Sequence, residues 1–94
     1  MKKIKQPDAV ISEVALMLSL KPGDILRRGR HSELVMARMM ITAILREKPY
    51  SMSYNAIGRY LRRDHTTVMD LWRRSQEVNS VKLFLTERKR EHAR

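Results

Sequence analysis

Helix-breaking residues are sparse in this chain, and they lie between segments in which apolar residues recur at helical spacing. The 94 residues include only three glycines and three prolines, whereas Leu, Met, Ala, Arg and Lys are common. These common residues favour helix, and the β-branched or aromatic runs typical of strands are few. The chain is therefore predicted to be all-α, and its length suits a single domain over residues 1–94.

Two helices, separated by a short element and a basic loop, are predicted in the first half of the chain. We expect Asp8 to cap a first helix and Ser32 to cap a long helix that ends at Pro49. Between them, residues 24–26 form a short helix or turn and residues 27–31 form the exposed basic loop. The apolar face predicted for the long helix consists of Leu34, Ala37, Ile41, Ile44 and Leu45.

Two shorter helices joined by a tight turn are predicted in the second half. Ser53 caps the first helix, residues 54–61, and Asp64 caps the second. The inward residues predicted for the two helices are Ile57, Leu61, Val68, Leu71 and Trp72. A last basic helix is expected over residues 81–94. Two short helices with cations at the turn between them are the pattern of a helix-turn-helix.

The charge of the chain predicts a polyanionic partner. Twenty Lys and Arg against ten Asp and Glu give a net charge of +10. DNA, RNA and an anionic membrane are the candidates, beside a basic surface that is merely solvated. One Trp, three Tyr and one Phe leave few rings to stack on RNA bases, and the apolar residues 14–20 are too few to span a bilayer. We therefore expect a cytoplasmic protein of the nucleoid that binds double-stranded DNA and no membrane.

The sequence contains no pattern of residues typical of a catalytic or metal-binding site. Cysteine is absent, which excludes disulfides, thiol nucleophiles and cysteine zinc sites. The three histidines are scattered, without carboxylates at ligand spacing. Asp64 beside His65 could suggest an acid–base pair, but no nucleophile accompanies it. The chain is predicted not to be an enzyme and to hold no metal and no cofactor.

A polar turn at the start of the second short helix carries the chemistry of base recognition. After the cap Asp64 come His65, Thr66 and Thr67, which are short side chains with donors, acceptors and a methyl group. An aspartate accepts from cytosine N4, and a threonine methyl packs on the thymine methyl. A helix N-terminus also attracts a phosphate. This turn is the predicted contact with the DNA bases.

The run Arg-Asp-His-Thr-Thr-Val at residues 63–68 resembles the signature of the C-terminal DNA-binding domain of the bacterial replication initiator DnaA. The resemblance continues upstream through residues 53–58, 38–47 and 24–30, and the DnaA-like core covers about residues 8–80. It implies a helical cluster related to Trp repressor. In that fold the recognition helix enters the major groove and a loop arginine enters the adjacent minor groove.

The resemblance implies a set of contacts with the DNA. Bases would be read by Asp64, His65 and Thr66, with Arg30 in the minor groove and Arg28 as the alternative. Asn55 stands where the family has a base-contacting proline, so it would donate a hydrogen bond instead. The phosphates would be held by Arg28, Arg38, Arg46, Arg62, Arg63, Thr67 and Arg74.

Two departures from the family shape the expected role. Residues 61–62 are Leu-Arg where the family has two glycines, and the sequence contains no phosphate-binding loop of an ATPase. We therefore expect a monomeric, stand-alone regulator or accessory factor of replication or transcription. The alternative is a protein-interaction module that modulates a replication or transcription protein. It would use Met36, Met39 and Met40 or the C-terminal helix.

Overall fold

Six helices make up the part of the chain that the computed structural model describes, which is residues 6–29 and 31–92. No strand occurs in these residues, so the all-α prediction is confirmed. The helices are α1 (Pro7–Met17), α2 (Pro22–Leu26), α3 (Ser32–Arg46), α4 (Tyr54–Leu61), α5 (His65–Ser75) and α6 (Asn79–His92).

Four helix starts differ from their predicted positions, and one of them is that of α2, which begins at Pro22 and not at residue 24. Helix α1 begins at Pro7, and Asp8 lies inside its first turn instead of capping it. Proline at this position already has helical φ and lacks an N–H that would need a partner, so a side-chain cap is dispensable. Ser32 is likewise the first residue of α3 and does not cap it. Helix α6 begins at Asn79, two residues before the predicted start, and the Lys82 amide bonds the Val78 carbonyl 3.1 Å away.

Helix α3 is the centre of the fold and packs against each of the other five helices. Every residue from position 37 to position 45 is buried. Because this stretch is enclosed on all sides, the single apolar face predicted from the sequence was too narrow. Met39 and Met40 are 5% and 3% exposed, and the hypothesis that they form a partner surface is wrong.

The two short helices α4 and α5 form the predicted helix-turn-helix. The Ser53 hydroxyl caps α4 by accepting from the Ala56 amide at 3.1 Å. The predicted inward residues Ile57, Leu61, Val68 and Leu71 are buried, whereas Trp72 is half-buried. Both helices pack against α3, and four of the five predicted inward residues belong to the hydrophobic core.

Gly58 allows the turn to close on α4. The Arg63 amide donates to the Gly58 carbonyl at 2.9 Å, which folds the turn back over the end of the helix. A Cβ on Gly58 would overlap the Arg63 carbonyl oxygen and touch Val68. Only glycine fits where the backbones of α4 and the turn come this close.

The Gly58→Ala variant is expected to lower the free energy of unfolding by about 1–3 kcal/mol, because the backbone of the turn must move away. Gly23→Ala is the matched control, since a Cβ there meets nothing within 4 Å. It should be neutral or stabilising by about 0.4–1 kcal/mol. Urea unfolding followed by circular dichroism measures both, and equal effects would contradict the close approach at Gly58.

Candidate nucleic-acid interface

The first turn of α5 is exposed, as the sequence predicted. Asp64, His65, Thr66 and Thr67 are all accessible to solvent. The Asp64 carboxylate accepts from the Thr67 amide at 3.3 Å through Oδ1 and from the Thr66 hydroxyl at 3.2 Å through Oδ2. The cap thus fixes the side chains of the turn while the N-terminus of the helix is open to a ligand.

The cap also sets the charge of the turn. A hydrogen bond from the Thr67 side chain, then bonds from the Thr67 amide and the Thr66 side chain, hold the pKa of Asp64 below its ordinary value. The carboxylate is therefore ionised near neutral pH. An ionised carboxylate only accepts hydrogen bonds and has about four lone-pair sites, so Asp64 can cap the helix and still accept from a base.

An open cleft separates the basic loop from α5. Besides the buried Arg38, four arginines line it, together with a threonine and two carboxylates; these residues are Arg28, Arg62, Arg63, Arg74, Thr67, Asp64 and Asp70. Arg28, Arg62 and Arg74 are exposed. The structure thus brings most of the residues predicted to bind phosphate into one place.

A second, shallower depression joins the two helices of the helix-turn-helix. It is lined by Asn55, Arg59, Arg62 and His65, among others. Asn55 and His65 were predicted from the sequence, but Arg59 was missed. Arg59 lies four residues after Asn55 on α4, and residues at this spacing share a helix face, so the helical periodicity could have found it.

Arg38 is almost fully buried, and the prediction that it binds a phosphate is corrected. The residue is 4% exposed. Its guanidinium donates to the carbonyls of Ile25 at 2.9 Å, Gly29 at 2.7 Å and Arg27 at 2.6 Å. Because a buried charge requires hydrogen-bonding partners, the side chain turns inward to these carbonyls and away from solvent.

Two further arginines of the predicted phosphate set are engaged within the protein. The Arg46 guanidinium lies over the Tyr54 ring at 4.2 Å, and its Nη1 donates to the Met52 carbonyl at 3.0 Å. The half-buried Arg63 donates to the carbonyl of Leu61 at 3.1 Å, among others. Phosphate contacts by both residues stay predictions. Arg30, the predicted minor-groove arginine, lies outside the described residues.

Arg62 adopts the left-handed backbone conformation, with φ 57° and ψ 44°. Arg62 occupies one of the two positions at which, by the resemblance to DnaA, the family sequence has glycines. A residue with a Cβ is strained in this conformation, whereas glycine is not. The chain thus places an exposed cation in the turn at a cost in backbone energy.

A comparison with known families decides how this arrangement is classified. The model described as the bacterial DnaA protein helix-turn-helix matches residues 7–74. The chain belongs to the bacterial DnaA helix-turn-helix family. The resemblance seen in the sequence is thereby confirmed, and the helix-turn-helix is of a DNA-binding type.

A curated relative of the DnaA family gives the extent of the similarity. The chromosomal replication initiator protein DnaA of Mycoplasma pneumoniae is 35% identical over 68 residues. The match covers 72% of this chain and 15% of that protein, so the chain spans only a small part of its relative. No solved structure gives a significant match.

Two other kinds of feature do not occur among the described residues of this DnaA-type domain. No helix in the described residues is long and apolar enough to cross a membrane. Over the same residues, no three His, Cys, Asp or Glu side chains come together as metal ligands would.

The Arg62→Gly variant is expected to raise the free energy of unfolding by about 0.5–1 kcal/mol. The left-handed strain that it removes, about 1–2 kcal/mol, exceeds the stability lost because glycine adds entropy to the unfolded chain. Arg62→Ala is the matched control because it removes the same charge but keeps a Cβ. Urea unfolding of both variants measures the difference, and an equal gain for Ala would show that charge, not backbone strain, is responsible.

The Asp64→Ala variant should be less stable than the parent at pH 6, and this deficit should shrink as the pH falls. Since the folded pKa of Asp64 is lowered, its contribution is present above the unfolded value, about 3.9, and is lost as the pH falls through the folded value. Unfolding of both proteins between pH 6 and pH 2.5 measures the difference. A deficit that is constant over this range would contradict the charged cap.

Proposed function

We propose that this DnaA-type domain binds specific sites on double-stranded DNA, with α5 in the major groove and the basic loop in the adjacent minor groove. The observation that carries the proposal is the exposed polar turn from Asp64 to Thr67, which adjoins a cleft lined by cations. A helix N-terminus with short polar side chains fits the major groove. Arginines on either side of it would contact the two phosphate backbones.

The affinity in this proposal comes mainly from the exposed arginines. Arg28, Arg62 and Arg74 line the cleft and are accessible to solvent. Each phosphate contact releases counterions from the DNA, so binding should weaken steeply as salt increases. Arg38 does not belong to this group, because its guanidinium is bound to carbonyls inside the protein.

The sequence specificity comes from the turn and its neighbour on α4. His65 and Thr66 are exposed beside the ionised Asp64, and Asn55 lines the same depression as His65. Hydrogen bonds to base edges in the major groove distinguish all four base pairs. We assign base contacts to these residues and to Arg30 of the basic loop, and phosphate contacts to the cleft arginines.

The biological role follows from the kind of site bound. We propose that the domain acts, as a monomer, at boxes like those of the DnaA family, in regulation of or assistance to replication or transcription. ATP-driven work at such a box would require an ATPase that these 94 residues do not contain. A replication or transcription protein could supply it.

A protein-interaction module is the second candidate, because apolar side chains are exposed on two helices. Leu16 on α1 is 81% exposed and Leu83 on α6 is 61% exposed. Salt titration separates the two functions. Duplex binding must weaken as the salt concentration rises, because the release of counterions from the DNA becomes less favourable. Absence of duplex binding even at low salt would favour the interaction module.

The His65→Ala variant is expected to lose about 1–3 kcal/mol of binding free energy on the selected site and to relax the sequence preference. Arg74→Ala should weaken binding to all duplexes alike and reduce the salt slope by about one unit. Fluorescence anisotropy with a duplex enriched from a random library, and with an unselected duplex, measures both effects.

Lys82→Ala is the matched control for this experiment. Lys82 is exposed on α6, outside the helix-turn-helix, and its removal changes the net charge by the same amount as Arg74→Ala. It should change binding less than Arg74→Ala. If His65→Ala affected selected and unselected duplexes equally, the assignment of base reading to this turn would be refuted.

A further inference from the structure

Two arginines from different elements converge on the carbonyls of one short segment. Arg38 of α3 donates to the carbonyls of Ile25, Arg27 and Gly29. Arg63, in the turn of the helix-turn-helix, donates to the Arg27 carbonyl as well and lies 3.5 Å from that of Leu26. Carbonyls at the end of α2 and in the basic loop are thus tied both to the core helix and to the turn before α5.

These bonds replace hydrogen bonds that the segment cannot make by itself. The last carbonyls of a helix have no partner within it, and α2 has only five residues. Arginine side chains satisfy such carbonyls and complement the negative end of the helix dipole. The planar guanidinium has five donors in a fixed fork, so Arg38 can orient three carbonyls at once.

The hydrogen bonds to the three carbonyls compensate for the burial of the Arg38 charge. Burial, together with the nearby positive charge of Arg63, lowers the pKa of the Arg38 guanidinium from its ordinary value. Two like charges close together in a partly buried place repel each other, and hydrogen-bond acceptors between them offset this repulsion. The Arg27 carbonyl is such an acceptor, since both guanidinium groups donate to it.

We propose that Arg38 and Arg63 are positioning residues that set the distance between the basic loop and the recognition helix α5. The inference rests on the proposed function, in which the loop and α5 contact adjacent grooves of one duplex. Arg38 fixes the loop to the most enclosed helix of the fold, and Arg63 ties it to the turn that immediately precedes Asp64. The two DNA contacts are thereby held at one spacing.

The consequence is a preference for the spacing of two segments within the DNA site. A rigid connection gives high affinity only when the base pairs read by α5 and the minor-groove segment lie at the matching distance. A loosened loop would bind the matching duplex less tightly, because the loop must be ordered on binding. It would also tolerate an altered spacing.

The experiment uses the duplex that the parent protein selects from a random library. It also uses versions of this duplex with one base pair inserted or deleted between the base pairs read by α5 and the minor-groove segment, both mapped by footprinting. The variants are Arg38→Lys, which keeps the charge, and Arg63→Met, which leaves α3 intact. The control is Arg90→Met, an exposed arginine on α6. Circular dichroism and urea unfolding confirm that each variant is folded under the binding conditions.

We expect each positioning variant to lower affinity for the selected duplex about tenfold, the effect of losing a hydrogen bond to a charged group. The penalty for altered spacing, measured as the affinity ratio of selected to altered duplex, should fall in both variants and stay at the parent value in Arg90→Met. A folded variant that keeps the parent's ratio would overturn the positioning role. A parent that prefers no sequence would instead overturn the proposed function.

The amide of Arg27 gives a readout that does not involve DNA. It donates to the carbonyls of Gly23 and Asp24 at the end of α2, at 3.2 Å and 3.3 Å. Loosening of the segment should accelerate hydrogen exchange at this amide in Arg38→Lys, relative to amides of α3. Exchange at the parent rate would show that Arg38 does not hold the segment.

Discussion

Helix α3 is buried over the whole stretch from position 37 to position 45, and each of the other helices packs against it. A helix enclosed in this way stabilises the fold by removing apolar surface from water, but it can hold a charge only where hydrogen bonds compensate for lost hydration. Arg38 meets that condition by donating to three carbonyls of α2 and the basic loop. The centre of the core therefore also supports a surface loop.

The arginines of this chain fall into two groups, and only their surroundings distinguish them. Arg28, Arg62 and Arg74 are exposed along the cleft between the basic loop and α5. Others are engaged within the protein, among them Arg38 on backbone carbonyls and Arg46 against the Tyr54 ring. The net charge of +10 indicates a polyanionic partner, but it counts both groups equally.

The turn of the helix-turn-helix shows how stability and charge are balanced. Gly58 is required there because a Cβ would overlap the Arg63 carbonyl oxygen. Arg62, in contrast, carries a side chain in a left-handed conformation that glycine would adopt without strain. The resemblance to DnaA implies glycines at that place, whereas this chain has an exposed cation beside the polar turn from Asp64 to Thr67, as the proposed contact with DNA requires.

Local signals in the sequence determined the helical class, the two short helices, their caps at Ser53 and Asp64, and the exposed polar turn. Helical periodicity and capping act over a few residues, so they can be read along the chain. Tertiary structure alone decided that Arg38 turns inward, that Arg63 meets the loop 36 residues away, and that Met39 and Met40 lie in the core. Composition cannot reveal these outcomes, because whether a long side chain is buried depends on which distant carbonyls and helices the fold brings beside it.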